Sequence, residues 1–169
     1  MHRAAWTCCW LGLLIGLPAG GTETPATPLP EGGDLVLHLG VDGDESYLGF
    51  GWSRGEGRAE RRFRWIKRME ADVWVELDKV SAVDIWFKAA PLYLNWRRQV
   101  VGLYVNNHFV SEWVCPDQPG ESVYHARIPA ETLRTGRNRL TFRMAYRKHH
   151  RRDRRELALK VETIILQHR

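Results

Sequence analysis

Apolar and polar residues alternate at every second position through much of this chain, and this pattern limits the folds open to it. The pattern is clearest at residues 71–77 and 83–87, where aliphatic residues and phenylalanine alternate with charged residues and tryptophan. Such alternation is typical of half-buried strands in an antiparallel sheet. One helical turn is predicted at residues 129–133, opened by a proline, and no helix of normal length is indicated. The chain is therefore predicted to be all-β.

A tight hairpin is the clearest local feature. Asn106 and Asn107 separate two alternating runs, residues 99–105 and 108–114. Because asparagine tolerates a positive φ, the pair predicts a two-residue turn. About eight or nine short strands, joined by turns rich in Gly and Pro, predict an antiparallel β-sandwich or jelly roll. The remaining predicted strands are 34–39, 62–66, 122–128, 138–146 and 156–166, and residues 40–57 are predicted to form a long loop.

The first 21 residues have the composition of a signal peptide. Residues 4–17 are almost uniformly apolar, and Pro18 and several small residues follow them. We predict that residues 1–21 are a cleaved signal peptide and that the mature chain is secreted or periplasmic, with no membrane span. The apolar run is short for a bilayer; if it stayed uncleaved, residues 4–17 would anchor the protein in the membrane.

The next segment, residues 22–33, is rich in Thr, Pro and Gly, which predicts an extended linker. A single domain is then predicted at residues 34–169, an ordinary length for one core. Cleavage of the signal peptide would leave Cys115 as the one cysteine, so no internal disulfide is expected. A lone thiol in an oxidising compartment is either buried or paired between chains. Burial is expected because free cysteine behaves as a small apolar side chain.

The sequence carries no motif of a common catalytic or metal centre. It has no Gly-x-Ser-x-Gly elbow, no phosphate-binding Gly-Lys-Ser/Thr loop, no His-Glu-x-x-His and no pair of cysteines at the spacing of a metal site. Asp42, Asp44, Glu45 and Glu56 form an acidic cluster that offers oxygen ligands for Ca²⁺, but it lacks the full spacing of a calcium loop, and a solvated turn is preferred. We therefore predict no enzyme activity, no cofactor and no metal site. A hydrolase with two opposed carboxylates is the weakest alternative.

Aromatic and polar residues between positions 47 and 65 form the best candidate ligand site. Trp52 and Trp65 offer flat apolar faces to a sugar ring, and Glu56 and Arg64 offer hydrogen bonds to its hydroxyl groups. Both tryptophans are also suited to closing the end of a sandwich core. The sequence leaves these two roles open.

A basic segment, residues 147–155, is the second candidate. It contributes much of the formal net charge of +5. It is predicted to be either a solvated loop or a docking site for an anionic polymer or an envelope protein. Its two adjacent histidines would point to opposite faces of a strand, which disfavours metal binding. Only Tyr146 supplies an aromatic ring beside it, so nucleic acid is not an expected partner.

Several segments in order resemble a known family. The run Ile128-Pro129-x-x-x-Leu133-x-x-Gly136-x-Asn138-x-Leu140 resembles a jelly-roll signature of galactose-binding-like domains. The other matching segments are Gly51-Trp52-Ser53 with Glu56 and Arg64-Trp65, the strand from Gln99 to Asn106, and Asp153-x-Arg155-x-Leu157. They resemble accessory modules attached to bacterial surface-polysaccharide enzymes and sulfatases.

The resemblance covers roughly residues 35–166 and implies a galactose-binding-like jelly roll without catalytic activity. We expect an exported module that binds a glycan or surface polysaccharide. Its site would be formed by Trp52, Glu56, Arg64 and Trp65, with Asp153 and Arg155 bordering it.

Overall fold

A computed structural model describes residues 28–93, 97–149 and 154–169. Within these ranges the chain forms twelve β-strands and two single-turn 3-10 helices. The strands are β1 (Leu35–His38), β2 (Glu56–Arg58), β3 (Arg61–Ile66), β4 (Glu70–Leu77), β5 (Val83–Pro91), β6 (Val100–Val105), β7 (His108–Val114), β8 (Ser122–Ile128), β9 (Gly136–Met144), β10 (Lys148–His149), β11 (Glu156–Leu157) and β12 (Leu159–His168). The 3-10 helices span Asp44–Tyr47 and Ala130–Thr132.

The strands form two main antiparallel sheets and a short ribbon. The six-stranded sheet has the order β2-β3-β12-β5-β8, and β1 pairs with β12 as well. The four-stranded sheet has the order β4-β9-β6-β7, and β10 pairs with β11. The strand β12 is central, since it pairs with β1, β3 and β5. The predicted antiparallel β-sandwich is confirmed.

The core lies between the two sheets and is built by the alternation seen in the sequence. Phe87 on β5 is fully buried at its centre. Its ring lies 5.0 Å from that of Trp113, 4.8 Å from that of Tyr124 and 5.2 Å from that of Phe142. Because Trp113 and Phe142 belong to the four-stranded sheet, these contacts join the two layers. Rings in such edge and stacked geometries stabilise a core beyond their burial alone.

The predicted hairpin is confirmed. Asn106 and Asn107 link β6 to β7 with φ of 49° and 73°. The Asn106 side chain donates to the Thr132 carbonyl oxygen (2.9 Å), and its Oδ1 accepts from the Arg139 backbone N–H (3.0 Å). The turn is therefore tied to β9 as well as to its own strands.

Two predictions of local structure need correction. Residues 40–57 are not one long loop, because a 3-10 turn forms at Asp44–Tyr47 and β2 begins at Glu56. The segment 156–166 is not one strand, because β11 ends at Leu157 and β12 begins at Leu159. The twelve strands also exceed the predicted eight or nine, although the three additional ones, β2, β10 and β11, have only two or three residues each.

Other predictions concern single residues or the chain's beginning. Cys115 is fully buried, as predicted. The predicted signal peptide lies outside the described residues, as do residues 22–27 of the predicted linker, and β1 begins at Leu35. Within the described ranges, the chain has no helix that meets the length and hydropathy needed to cross a membrane.

Candidate functional site

The strand β3 separates the predicted site residues onto two faces. Arg64 and Ile66 point into the sandwich and are buried, whereas Phe63 and Trp65 are half-buried on the outer face of the six-stranded sheet. This follows from the period of two in a strand, because neighbouring side chains point to opposite faces. Arg64 and Trp65 therefore cannot face the same ligand.

Arg64 binds the preceding loop from inside. Its Nε donates to Asp44 Oδ2 (2.7 Å), its Nη2 to Asp44 Oδ1 (2.5 Å) and its Nη1 to the Ser53 carbonyl oxygen (2.7 Å). Glu45 is a further partner. The hydrogen bonds to Asp44 raise the pKa of Arg64 against the opposing effect of burial. Arg64 therefore holds the 3-10 turn against β3, and the structure gives it a role inside the fold.

The same ion pair, between Arg64 and Asp44, shows how the acidic residues of the loop are used. Asp44 is only 5% exposed, and its Oδ2 also accepts from the Gly40 N–H at 2.6 Å. The prediction of a solvated turn is therefore wrong at Asp44, whose carboxylate is buried and paired with Arg64. Across the described residues, no three His, Cys, Asp or Glu side chains converge in a way that could hold a metal ion.

Trp52 belongs to the core. It is 7% exposed, and its Nε1–H donates to the Asp72 carbonyl oxygen at 2.8 Å. Gly51 before it has a φ of 99°, and a Cβ there would lie 2.1 Å from the Glu70 carbonyl oxygen. The chain can therefore turn Trp52 inward only with glycine at this position. Of the two roles left open for Trp52, the structure favours closure of the core.

The outer face at β2 and β3 carries a different group of residues. Glu56 on β2 lies directly across from Phe63, and Lys160 on β12 lies across from Trp65. The rings of Phe63 and Trp65 are 6.1 Å apart in an edge-on arrangement. The Lys160 Nζ lies over the Phe63 ring at 5.2 Å from its centroid. Two rings are thus bordered by an acceptor on one side and a donor on the other.

Arg155 joins this group from the far end of the sequence. Its Nη1 donates to Glu56 Oε1 (2.6 Å) and its Nη2 to Glu56 Oε2 (3.1 Å). This bidentate geometry is the strong form of an arginine–carboxylate contact. We call Glu56, Phe63, Trp65, Arg155 and Lys160 the aromatic platform. It includes three of the six predicted site residues, and Asp153 lies outside the described residues.

Charged residues continue from Lys160 across the outer face. The Lys160 Nζ contacts Glu121 (2.5 Å) and Glu162 (2.9 Å), and the Lys88 Nζ lies 2.8 Å from a carboxylate oxygen of each. The pKa of Glu121 is lowered to about 2, first by a hydrogen bond with Glu162 and then by the ammonium groups of Lys160 and Lys88, while burial opposes the shift. Lys160 is therefore held in place beside the rings rather than moving freely.

Sequence reasoning missed two members of the platform. Phe63 had a usable signal, because it lies two residues before Trp65 and so shares its face. Lys160 had none, since its position opposite Trp65 depends on the pairing of β12 with β3. A long-range register of this kind is not readable from local pattern.

The described part of the basic segment is structured and partly neutralised. The strands β10 and β11 pair Lys148 with Leu157 and His149 with Glu156. Arg147 Nε lies 2.9 Å from Glu156 Oε2, and Arg155 binds Glu56 as above. Residues 150–153 lie outside the described ranges. The charge at both ends of the segment therefore faces carboxylates of the protein itself.

Comparison with known proteins supports the fold. No protein-family model matches the sequence, and no curated protein matches it significantly. The structure is similar to a Podospora anserina GH26-CBM35 β-(1,4)-mannanase, with a TM-score of 0.51, 12% identity and coverage of 80% of this chain and 27% of that chain. It is also similar to a family 35 carbohydrate binding module from an environmental isolate, with a TM-score of 0.51 and 11% identity. That match covers 79% of this chain and 92% of the module.

The chain thus spans about a quarter of the mannanase and nearly all of the separate module. These similarities show that the chain shares the β-sandwich fold of these proteins, in agreement with the jelly roll predicted from the sequence. At such low identity they establish the fold alone, because one fold carries many unrelated functions.

Proposed function

We propose that this protein is an exported, non-catalytic module that binds a glycan on the aromatic platform. The observation that carries the proposal is the outward-facing pair of rings, Phe63 and Trp65, bordered by Glu56 and Lys160. A sugar ring has an apolar C–H face and a polar rim, and this surface offers a matching partner for each. The shared fold with a carbohydrate binding module supports the same reading.

The polar groups of the platform are already ordered without a ligand. Arg155 holds both oxygens of Glu56, and Glu121 and Glu162 hold the Lys160 ammonium group. Ordering rotamer-rich side chains on binding costs about 0.5–1.5 kcal/mol each. Because these side chains are held in advance, most of that cost is met in the free protein.

The chemistry of the platform supports binding without turnover. Glycoside hydrolysis needs a general acid that is protonated near neutral pH and a second carboxylate opposite it. Glu56 is ion-paired with Arg155, and the pKa of Glu121 is lowered to about 2. Glu121 is thus ionised at neutral pH and unsuited to donate a proton there, and both oxygens of Glu56 are engaged by Arg155.

The proposed location follows from the predicted signal peptide at residues 1–21. Outside the cell or in the periplasm, the expected ligand is a surface or secreted polysaccharide. The alternative is docking of an anionic polymer or an envelope protein on residues 147–155. The ion pairs of Arg147 and Arg155 with the protein's own carboxylates speak against it.

The test is a glycan screen of the purified protein at low and physiological salt, with two variants. Trp65→Ala removes the larger ring of the platform. Trp74→Ala is the matched control, because Trp74 is also half-buried on an outer face, beneath Arg137, but on the opposite sheet. We expect binding of a neutral glycan that survives salt, weakened roughly tenfold or more by Trp65→Ala and unchanged by Trp74→Ala.

Other results would redirect the assignment. Binding restricted to sulfated or uronic polymers, and lost as salt rises, would favour residues 147–155, because salt screens exposed charges. Absence of glycan binding would contradict the proposal and favour a protein partner, to be sought by affinity capture from envelope extract.

A further inference from the structure

Three arginines lie near one another at the hairpin end of the four-stranded sheet. Arg137 and Arg139 belong to β9, and Arg134 lies in the segment just before it. Because Asn138 and Leu140 on the same strand are fully buried, the side chains at 137 and 139 point to the outer face, from Cα atoms about 7 Å apart. This face belongs to the opposite sheet from the aromatic platform.

Each of the three guanidinium groups is held by a contact that does not neutralise its charge. Arg134 Nε donates to the Arg137 carbonyl oxygen at 2.9 Å, and Arg139 Nη2 donates to Asn107 Oδ1. Arg137 lies over the Trp74 ring, with its Cζ 4.3 Å from the ring centroid. Within the described residues, none of the three arginines forms an ion pair with a carboxylate.

The carboxylates that β4 presents on this face do not compensate these charges. Glu70 is paired with an arginine further along β9, at 2.9 Å, and Asp72 accepts from the Thr141 hydroxyl at 2.6 Å. Glu76 lies across from Arg137 in the strand register, but no ion pair joins the two side chains in the described structure. The positive charge at this end of the sheet is therefore open to an anion from outside.

A buried asparagine fixes the backbone from which these side chains start. Asn138 Oδ1 accepts from the Arg134 N–H at 2.9 Å and from Asn106 Nδ2 at 2.8 Å. Its Nδ2 donates to the carbonyl oxygens of Arg134 (2.7 Å) and Gly136 (2.9 Å). One side chain thus ties the segment that carries Arg134 to the hairpin that carries Asn107. Because the arginines are ordered in the free protein, binding them costs less entropy.

The surface suits anionic groups rather than neutral sugar rings. Arg143 covers the Tyr104 ring at 4.0 Å, as Arg137 covers Trp74. A sugar ring that stacked on either ring would therefore compete with an arginine. A guanidinium stacked on a ring keeps its in-plane N–H groups, which match the oxygens of a sulfate or carboxylate. The charges are spread along one end of the sheet, which fits a polymer with repeated anionic groups.

We propose that Arg134, Arg137 and Arg139 bind an anionic polysaccharide that carries sulfate or carboxylate groups along its chain. This inference goes beyond the proposed function, because it concerns another ligand on the opposite sheet and does not require the aromatic platform. Trp74 supports Arg137 and makes no contact with the ligand. A neutral glycan offers these arginines no charge, so Trp74→Ala remains a control for the platform.

The test measures binding of the purified protein to dextran sulfate and to polygalacturonate, with uncharged dextran as the blank. Arg137→Gln and Arg139→Gln each remove one charge from the surface. Arg127→Gln is the matched control, because it removes one exposed charge from β8 on the other sheet and leaves the same net charge. We expect an anionic polymer to bind, more weakly as salt rises. Each surface variant should lower the affinity about two- to fivefold, and Arg127→Gln should leave it unchanged.

Arg137→Lys separates a shaped site from simple charge attraction. It keeps the charge but loses the planar group that stacks on Trp74, so it should regain only part of the affinity lost in Arg137→Gln. Full recovery would contradict the planar contact from which the site is argued. Arg137 is exposed and Arg139 half-buried, so the unfolding midpoints of all variants should stay close to that of the wild type. Loss of binding is then not loss of fold.

Three results would overturn the inference. Equal losses for Arg137→Gln and Arg127→Gln would mean that only the net charge matters. A larger loss for Arg147→Gln than for either surface variant would place the binding on residues 147–155. Absence of binding to both anionic polymers would remove the ligand class. None of these results touches the platform, which is tested with neutral glycans and Trp65→Ala.

Discussion

Arg155 and Glu56 lie 99 positions apart in the sequence, yet the arginine binds both oxygens of the carboxylate, at 2.6 and 3.1 Å. The contact joins the residue before β11 to β2 at the edge of the six-stranded sheet. It fixes the Glu56 carboxylate beside Phe63, its partner across the two strands. The acceptor of the platform is thereby held in one orientation.

Glu56→Gln tests this arrangement. The side chains of Glu56 and Arg155 are 28% and 43% exposed, so losing their ion pair should lower the free energy of unfolding by no more than about 1 kcal/mol. Glycan affinity, measured by calorimetry, should nevertheless fall several-fold, because the acceptor is weakened and less well held. Glu70→Gln is the control, since it breaks a comparable exposed pair with Arg143 on the other sheet. Equal affinity in both variants would remove Glu56 from the site.

The two tryptophans of the original candidate site should behave differently. Trp52→Ala empties a core position and should cost about 3–5 kcal/mol of stability, whereas Trp65→Ala, at a half-buried surface position, should cost much less. Chemical denaturation of both variants checks this. A similar loss in the two would mean that Trp65 is also a core residue.

Asp44→Asn probes the buried clamp on Arg64. Removing the carboxylate leaves a buried guanidinium with Glu45 as its remaining acidic partner, and the expected cost is ~3 kcal/mol, at the low end for a broken buried pair. Asp42→Asn, on the exposed part of the same turn, should change the free energy of unfolding little. If the two variants unfold alike, the clamp does not stabilise the loop.

The lowered pKa of Glu121 predicts a pH dependence. Its ordinary value of 4.5 applies to the unfolded chain, and the folded value is about 2. Folding thus favours the ionised form, so its stabilisation is complete above pH 4.5 and is lost as the pH falls towards 2. Denaturation midpoints of Glu121→Gln should accordingly fall less steeply over this range than those of the wild type.

Glu112→Gln serves as the control for this pH series, because Glu112 is exposed on β7. It should follow the wild-type curve. A Glu121→Gln curve parallel to the wild-type curve would show that the contacts of Glu121 with Lys88, Lys160 and Glu162 do not hold it ionised.

Local pattern was sufficient for most of the fold and for little of the site. The alternation at Val83, Ile85 and Phe87 predicted a strand and its buried face, and all three are buried. The Asn106–Asn107 pair predicted its hairpin because the turn depends on only two residues. The break at Ala158, between β11 and β12, carried no such local signal.

The candidate site depended on relations that the sequence does not display. Alternation along β3 would have separated Arg64 from Trp65, but the inward direction of Trp52 accompanies the positive φ of Gly51 and a backbone bridge to Ile66 on β3, which local pattern does not show. The neighbourhood of Lys160 and Glu121 requires the folded sheet. The contact of Glu56 with Arg155 matched the predicted grouping, because the resemblance placed both in one site.

The most direct test of the central claim is an NMR titration with the glycan selected in the screen, following the indole N–H signals of all tryptophans. The account predicts that the Trp65 signal shifts as the glycan binds. The signals of Trp52, which donates inside the core, and of Trp74, on the opposite sheet, should stay in place. Shifts at Trp74, or in residues 147–149, with Trp65 unchanged would contradict it.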